Sequence, residues 1–273
     1  MKFRKIGFIT KKTEHAARVA RQALQFLEKK KDDYDFELII SPSTSKYLGM
    51  KEHIDEKEFR KKAEAHLIVG GDGTYLQNEL NYPGVPKLEI NTGAVGFLAN
   101  LDEHAFEPGL ELFLQGKFKL EERMKLTVNY DGHTADALNE VSVHAKNVSR
   151  LVNLRVTSDS LKDMFSANGV LFSTPTGSTA YNLSAGGPII MPTIESITMA
   201  PICPLSPLNH PIVFASTEHF LIEPMDREIM MSVDGQIDEV VENVEIYKSK
   251  VSARFIRVYH ENVWEKVKKK CGL

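Results

Sequence analysis

Residues 66–74 read HLIVGGDGT. The apolar run 66–69 is short and opens onto two glycines, an acid, a third glycine and a threonine. That pattern describes a buried strand that stops abruptly in a polar turn. At the carboxyl end of a parallel strand, a glycine turn lets backbone N–H groups approach an anion closely, because glycine carries no Cβ. A carboxylate in such a turn is electrostatically awkward beside phosphates. It fits if it takes a proton from an attacking hydroxyl or holds a magnesium ion. A plain strand-ending turn with a solvated Asp72 is the other reading of the same nine residues.

Outward from this point the chain alternates strand and helix signals. Toward the amino end, 5–10 (KIGFIT) reads as a strand, and 14–30 has helical spacing with Ala16, Ala20, Ala23, Leu24 and Leu27 on one side. Residues 36–40 (FELII) form a second strand, ended by Ser41-Pro42-Ser43. Toward the carboxyl end, 87–91 (KLEIN) is another strand, and Leu110, Phe113 and Leu114 mark a last helical face before Gly116. Alternating strands and helices predict an α/β domain with a mostly parallel sheet. Beyond Gly116, period-2 runs take over at 125–130, 138–144, 151–158, 170–173, 220–223, 228–233, 244–248 and 253–259. They predict an all-β, sandwich-like second domain. The expected division is 1–118, 119–250, and a segment 251–273, ending in a short helix at 263–270, that packs back on the first domain.

Two further motifs lie in the β-rich part. Residues 173–190 read STPTGSTAYNLSAGGPII, a dense hydroxyl cluster around Pro175 and Gly177 that follows an apolar strand. Mixed with Ala180, Tyr181 and Leu183, these hydroxyls are expected to be partly buried and to need partners. A ligand rich in hydroxyls and phosphates would supply them; a Ser/Thr-rich surface loop is the alternative. Asn139-Glu140 interrupts the apolar alternation of LNEVSVH, which is costly if buried without partners.

GGDGT, the Asn-Glu pair, the TPTGSTAY block and SVDGQ at 232–236 occur in the order seen in NAD kinases, which this chain resembles along its whole length. The segment 91–100, NTGAVGFLAN, and the tail ENVWEKVKKKCGL are similar to that family's as well. GGDGT alone is shared with phosphofructokinases and with diacylglycerol and sphingosine kinases. The resemblance implies ATP-dependent phosphorylation of the adenosine 2′-hydroxyl of NAD, with polyphosphate as the donor in some relatives. It implies Asp72 as the proton acceptor, with Gly70, Gly71, Gly73 and Thr74 meeting the donor phosphates. Asn139 and Glu140 would contact ribose hydroxyls. Thr176, Gly177, Ser178, Thr179, Ala180 and Tyr181 would line the NAD pocket, with Phe97 near the adenine and Gly73 and Gln236 as further contacts. Magnesium would arrive on ATP, with no metal held by protein ligands alone and no tightly bound organic cofactor. Assembly as a homodimer or homotetramer is implied too.

The chain departs from the family's pattern at three places. Asn168-Gly169 stands where Asp-Gly is frequent, which removes a charge while keeping an acceptor. Ser166 and Ala167 offer no basic residue just upstream. No basic residue follows GGDGT in 75–79, which shifts phosphate neutralisation toward Lys11 and Lys12 after the first strand. Two other readings remain open on these residues: a diacylglycerol-type lipid kinase, and a non-catalytic NAD(P)-binding sensor.

Composition is that of an ordinary globular protein. The 273 residues carry 34 Lys+Arg against 37 Asp+Glu, a formal charge of −3, with 42% apolar residues. This excludes a strongly basic nucleic-acid binder and a disordered chain. Two cysteines, Cys203 and Cys271, with no C-x-x-C, are expected to be reduced thiols, Cys203 a packed one. No stretch reaches the ~18 apolar residues of a membrane span, and no secretory signal opens the chain, so the expected compartment is the cytoplasm. Tyr75 and Phe165 are expected to be packing residues. The lysines at 29–31 and 266–270 are expected to form solvated helix faces, and 198–211 (TMAPICPLSPLNHP) a rigid connector.

Overall fold

The computed structural model describes residues 2–50, 54–94, 96–147, 149–207, 209–260 and 262–271. The thiol of Cys271 lies outside what is described. The chain divides into two compact units, one of residues 1–122 with 254–273, the other Arg123–Ala253.

The first unit is α/β. Its sheet runs in the order Glu37–Ile40, Lys5–Thr10, Ala65–Gly70, Lys87–Asn91, Ala253–Arg257, Lys119–Arg123, and a short strand Leu101–Asp102 also pairs with Lys87–Asn91. From Glu37–Ile40 through Lys87–Asn91 neighbouring strands are parallel, and Ala253–Arg257 joins Lys87–Asn91 in parallel with Phe255 opposite Lys87. Every residue of Ala65–Gly70 is buried, as a central strand covered on both faces must be. The helix Glu14–Lys29 begins at Thr13, whose hydroxyl accepts the Ala16 N–H, and it buries Ala16, Val19, Ala20, Ala23 and Leu27. These side chains, with Leu110, Phe113 and Leu114 of the helix Phe106–Leu114, cover Ile6, Phe8, Leu67, Val69, Leu88 and Ile90. Ile9, Ile39, Phe59 and Tyr82 form a smaller apolar cluster.

Among the described residues of the first unit, three helices appear that the sequence pattern does not reveal. Ser41-Pro42-Ser43 ends a strand, as expected, and also starts the helix Pro42–Leu48: the Ser41 hydroxyl accepts the Thr44 N–H and Pro42 fills the first turn. Asp55 caps Glu56–Lys62 in the same manner. The third, Asp72–Asn81, changes the reading of GGDGT itself. Only Gly71 is turn; Asp72, Gly73 and Thr74 are already the first residues of a helix.

The second unit is a pair of six-stranded sheets. One has the order Lys162–Ala167, Val152–Thr157, Phe220–Pro224, Val244–Lys248, Leu126–Tyr130, His133–Ala137; the other Ile212–Ala215, Ser196–Ile202, Gly169–Ser173, Glu140–Ala145, Ile229–Val233, Ile237–Val241. Within each sheet the pairs are antiparallel. A single apolar cluster including Leu126, Val141, Val143, Leu154, Phe172, Phe220, Met231 and Ile246 draws on both sheets. The stretch 198–211 is not a connector from its start, because residues 198–202 complete the buried strand Ser196–Ile202. Pro201 is tolerated there because the strand Ile212–Ala215 stops opposite Met199, so no ladder flanks the proline on that side. Cys203, just past the strand, is exposed rather than packed. No helix among the described residues is long and apolar enough to cross a membrane.

Candidate functional site

In the first unit the carboxyl ends of three adjacent parallel strands gather the relevant residues. Gly70 ends its strand against Thr74: an added Cβ would lie 2.5 Å from the Thr74 hydroxyl oxygen, so only glycine fits. Gly71 is the cap of the following helix, and its carbonyl accepts the N–H groups of Thr74 and Tyr75 at 2.7 and 3.2 Å. Gly73 is exposed, with no heavy atom within 4 Å of an added Cβ, so the first turn opens onto free space. A helix start of this kind presents N–H groups and the positive end of the helix dipole. Lys11 and Lys12 are exposed, and the Lys11 N–H bonds the Val69 carbonyl at 2.9 Å, which brings that backbone beside Gly70. Tyr75 is fully buried and stacks on Phe255 with ring centroids 4.7 Å apart, and Phe165 is buried, so both are packing residues.

Asp72 is half-buried, and two amides hold its carboxylate: Phe97 N–H donates to Oδ2 at 3.0 Å and Leu98 N–H to Oδ1 at 2.9 Å. Each oxygen keeps a further lone pair. The segment that supplies these amides returns from a tight loop. Thr92 N–H bonds the Gly70 carbonyl at 2.6 Å, the Asn91 side chain both accepts from and donates to the Gly93 backbone, and Gly96 sits at φ +65° directly over Asn91. The carbonyls of the same segment face cations. Lys266 Nζ donates to Phe97 O at 3.1 Å and Ala99 O at 2.7 Å, and Arg257 donates to Leu98 O at 2.8 Å. Lys266 therefore does not belong to a solvated helix face. Lys30 is likewise half-buried, paired with Glu111 at 2.6 Å.

The second unit joins its three motifs through backbone contacts. The Asp234 carboxylate accepts the N–H groups of Leu138, Asn139 and Glu140 at 2.7, 2.8 and 2.9 Å, and Asp234 N–H returns a bond to Glu140 O at 3.0 Å. Burial pushes its carboxyl up to about 6, while the three amides and the Lys125 ammonium pull the other way. Asn139 O accepts Thr174 N–H at 2.9 Å, and the Thr174 hydroxyl donates to Leu138 O at 2.6 Å. Gly177 then lies against Asn139 so closely that an added Cβ would be 2.2 Å from that carbonyl oxygen. Ser178 is fully buried; its hydroxyl donates to Pro175 O at 2.7 Å and accepts Ile190 N–H at 3.0 Å. The partners expected from a ligand are thus provided to Thr174 and Ser178 by the chain itself, and Thr176 and Thr179 are buried with them. The block is a scaffold as much as a lining.

A cavity of about 540 Å³ opens beside this scaffold, with Glu140, Asn168 and Tyr181 on its wall together with Ser142, His144 and Asp234. Burial first, then the neighbouring Cys203 and Glu140, raise the Tyr181 hydroxyl above its ordinary value. The Asn168 amide donates to Arg150 O at 3.1 Å. Ala180 is half-buried before Tyr181, and the Gln236 amide reaches back to Asp234 O at 3.4 Å. Asp234 and Lys266 are the residues that sequence reasoning passed over. For Asp234 a signal existed: Asp-Gly, with both residues at positive φ, turns the hairpin between Ile229–Val233 and Ile237–Val241.

Two known families match the chain: the ATP-NAD kinase N-terminal domain over residues 6–118 and the ATP-NAD kinase C-terminal domain over residues 138–258. An NAD kinase of Thermococcus kodakarensis is 31% identical over 268 residues, 94% of this chain and 95% of that one. Two solved structures share the fold at 23% identity. A yeast NADH kinase complexed with NADH has a TM-score of 0.86 over 99% of this chain and 87% of its own. An Archaeoglobus fulgidus NAD kinase in complex with ATP has 0.77 over 97% and 99%. These matches support an NAD kinase and not the lipid kinase: the chain belongs to the NAD kinase family and is a kinase that transfers phosphate to a hydroxyl of NAD.

Proposed function

We propose that the chain phosphorylates the adenosine 2′-hydroxyl of NAD with ATP, giving NADP, and that Asp72 is the general base. The observation that carries this is the Asp72 carboxylate, pinned by two amides at the open start of a helix on the carboxyl edge of a parallel sheet. Fixing both oxygens removes rotational freedom, and the remaining lone pairs can accept the hydroxyl proton as the new O–P bond to the γ-phosphoryl forms and the bond from that phosphorus to the departing ADP oxygen breaks. Gly70, Gly71, Gly73 and Thr74 receive donor phosphates through backbone N–H groups, with Lys11 and Lys12 as the neutralising cations. The magnesium is part of the donor substrate, carried by the triphosphate. Asn139, Glu140, Asn168, the residues 176–181 and Gln236 form the dinucleotide site of the second unit. The ATP complex of the Archaeoglobus fulgidus relative supports ATP as a donor, and the NADH complex of the yeast enzyme supports a dinucleotide acceptor.

Assembly as a homodimer or homotetramer in the cytoplasm completes the reading. The outer strand Ile212–Ala215, which exposes Ile212 and Val213, supports it as an apolar edge suited to a neighbouring copy; light scattering of the purified chain checks it. The test of the mechanism is Asp72→Asn, assayed with NAD, ATP and magnesium and read by an NADP-specific dehydrogenase. Turnover should fall ~10²–10⁴-fold while NAD binding by calorimetry persists. Undiminished turnover removes Asp72 from the chemistry.

A further inference from the structure

We infer that Lys266, on the C-terminal helix Val263–Cys271, is a positioning residue for Asp72; this rests on the general-base reading above. The carbonyl of Phe97 and the N–H of Leu98 belong to one planar peptide group, so they point to opposite sides of it. On one side the Lys266 ammonium donates to Phe97 O at 3.1 Å. On the other, Leu98 N–H donates to Asp72 Oδ1 at 2.9 Å. A single peptide dipole is thus held between a cation and a carboxylate, each at the end that suits it. Lys266 also holds Ala99 O at 2.7 Å, and Arg257 holds the intervening Leu98 O at 2.8 Å. Three consecutive carbonyls therefore face cations, while the amides of Phe97 and Leu98 face Asp72.

This arrangement opposes a peptide flip. Turning the 97–98 peptide over would aim a carbonyl at the Asp72 carboxylate and an N–H at the ammonium, unfavourable on both sides. Hydrogen bonds in a chain also polarise one another, so the cation strengthens the amide's hold on the carboxylate. Arg257 is buried and also pairs with Glu121 at 2.8 Å, which ties it to the packing of the unit. Lys266 is only partly buried, and the rest of its side chain is aliphatic stem, so its head group can be changed with less damage.

The test uses the full chain and a double-mutant cycle. Lys266→Met should lower kcat about tenfold, the scale of losing charge-assisted hydrogen bonds, with KM for NAD and for ATP within about twofold of wild type. Lys266→Arg, which can still donate to both carbonyls, should recover most of the loss. In the Asp72→Asn background Lys266→Met should cost nothing further, because the residue acts through that carboxylate. If Lys266→Met does not fold, Lys266→Gln takes its place and must show the same loss confined to kcat. An unchanged kcat, a loss confined to KM, or an equal fold loss with and without the Asp72 carboxylate overturns the inference. Full turnover of Asp72→Asn alone would instead overturn the general-base reading, so the two failures are distinguishable.

Discussion

Gly177→Ala tests whether the Asn139-Glu140 turn and the 174–181 block operate as one piece. The added Cβ would stand 2.2 Å from the Asn139 carbonyl oxygen, 2.5 Å from its carbon and 2.7 Å from its Cα. All three are backbone atoms, so no side chain can swing away. To reach ordinary contact the Asn139 carbonyl must retreat by roughly 1 Å, a strain of overpacking that typically costs about 1–3 kcal/mol. That retreat breaks the 2.9 Å bond from Thr174 N–H, about 1 kcal/mol more. It also drags on the amides of Asn139 and Glu140 that the Asp234 carboxylate holds. The expected destabilisation of the second unit is about 2–4 kcal/mol, a fall in its unfolding midpoint of about 8–15 °C for a unit of this size. Calorimetric melting measures it, and the KM for NAD should rise at least tenfold in parallel because Glu140 is carried by the same turn. A variant that melts with wild type and binds NAD normally would refute the claim that this glycine is imposed by contact.

Two further expectations concern pH and have opposite signs. Burial lowers the His66 imidazole to about 3, so the folded chain refuses a proton that the unfolded chain takes up below about 6.5. Its contribution is present above that pH and is lost on acidification at up to about 1.4 kcal/mol per pH unit; urea unfolding of wild type against His66→Gln should show the difference shrinking from pH 7 toward 4.5. Asp234, raised to about 6 from 3.8, behaves the other way: the folded chain keeps a proton that the unfolded chain releases. Its contribution is complete below about pH 4 and lost as pH rises through 6, about 2 kcal/mol after allowing for its partial exposure. The stability of wild type relative to Asp234→Asn should therefore be greatest near pH 4, and a difference that grows with pH would contradict the assignment.

The parts of this fold that sequence revealed are those whose signal is local. The strand Ala65–Gly70 announces itself because both faces are buried and all of its residues except His66 are apolar or small. The helix Glu14–Lys29 shows its alanine stripe. The strands His133–Ala137, Lys162–Ala167 and Ile237–Val241 were not legible. They lie at the edges of their sheets, where one side of the ladder is open, and their polar residues mask the alternation. The helix Pro42–Leu48 is too short for periodicity, and only its Ser-Pro start betrays it. At the site, GGDGT and the Asn-Glu pair stood out by composition. Lys266 could not, since the carbonyls it holds lie 169 and 167 residues away. Asp234 presented a turn signal, but nothing in its neighbourhood indicated that its carboxylate would hold amides 96, 95 and 94 residues distant.

The place of Ala253–Arg257 in its sheet bears on the order in which the molecule is made. It lies between Lys87–Asn91 and Lys119–Arg123 and is not an outer strand. A ribosome releases residues 1–122 long before this partner emerges, so during synthesis the nascent first unit has a gap in its sheet and Lys119–Arg123 has nothing to pair with. The intervening sandwich, continuous in the chain, can finish first. The GGDGT residues at the carboxyl edge are translated early, yet the sheet beneath them is sealed only after the whole of the second unit has been made, and a product cut short before residue 253 would leave that sheet unfinished.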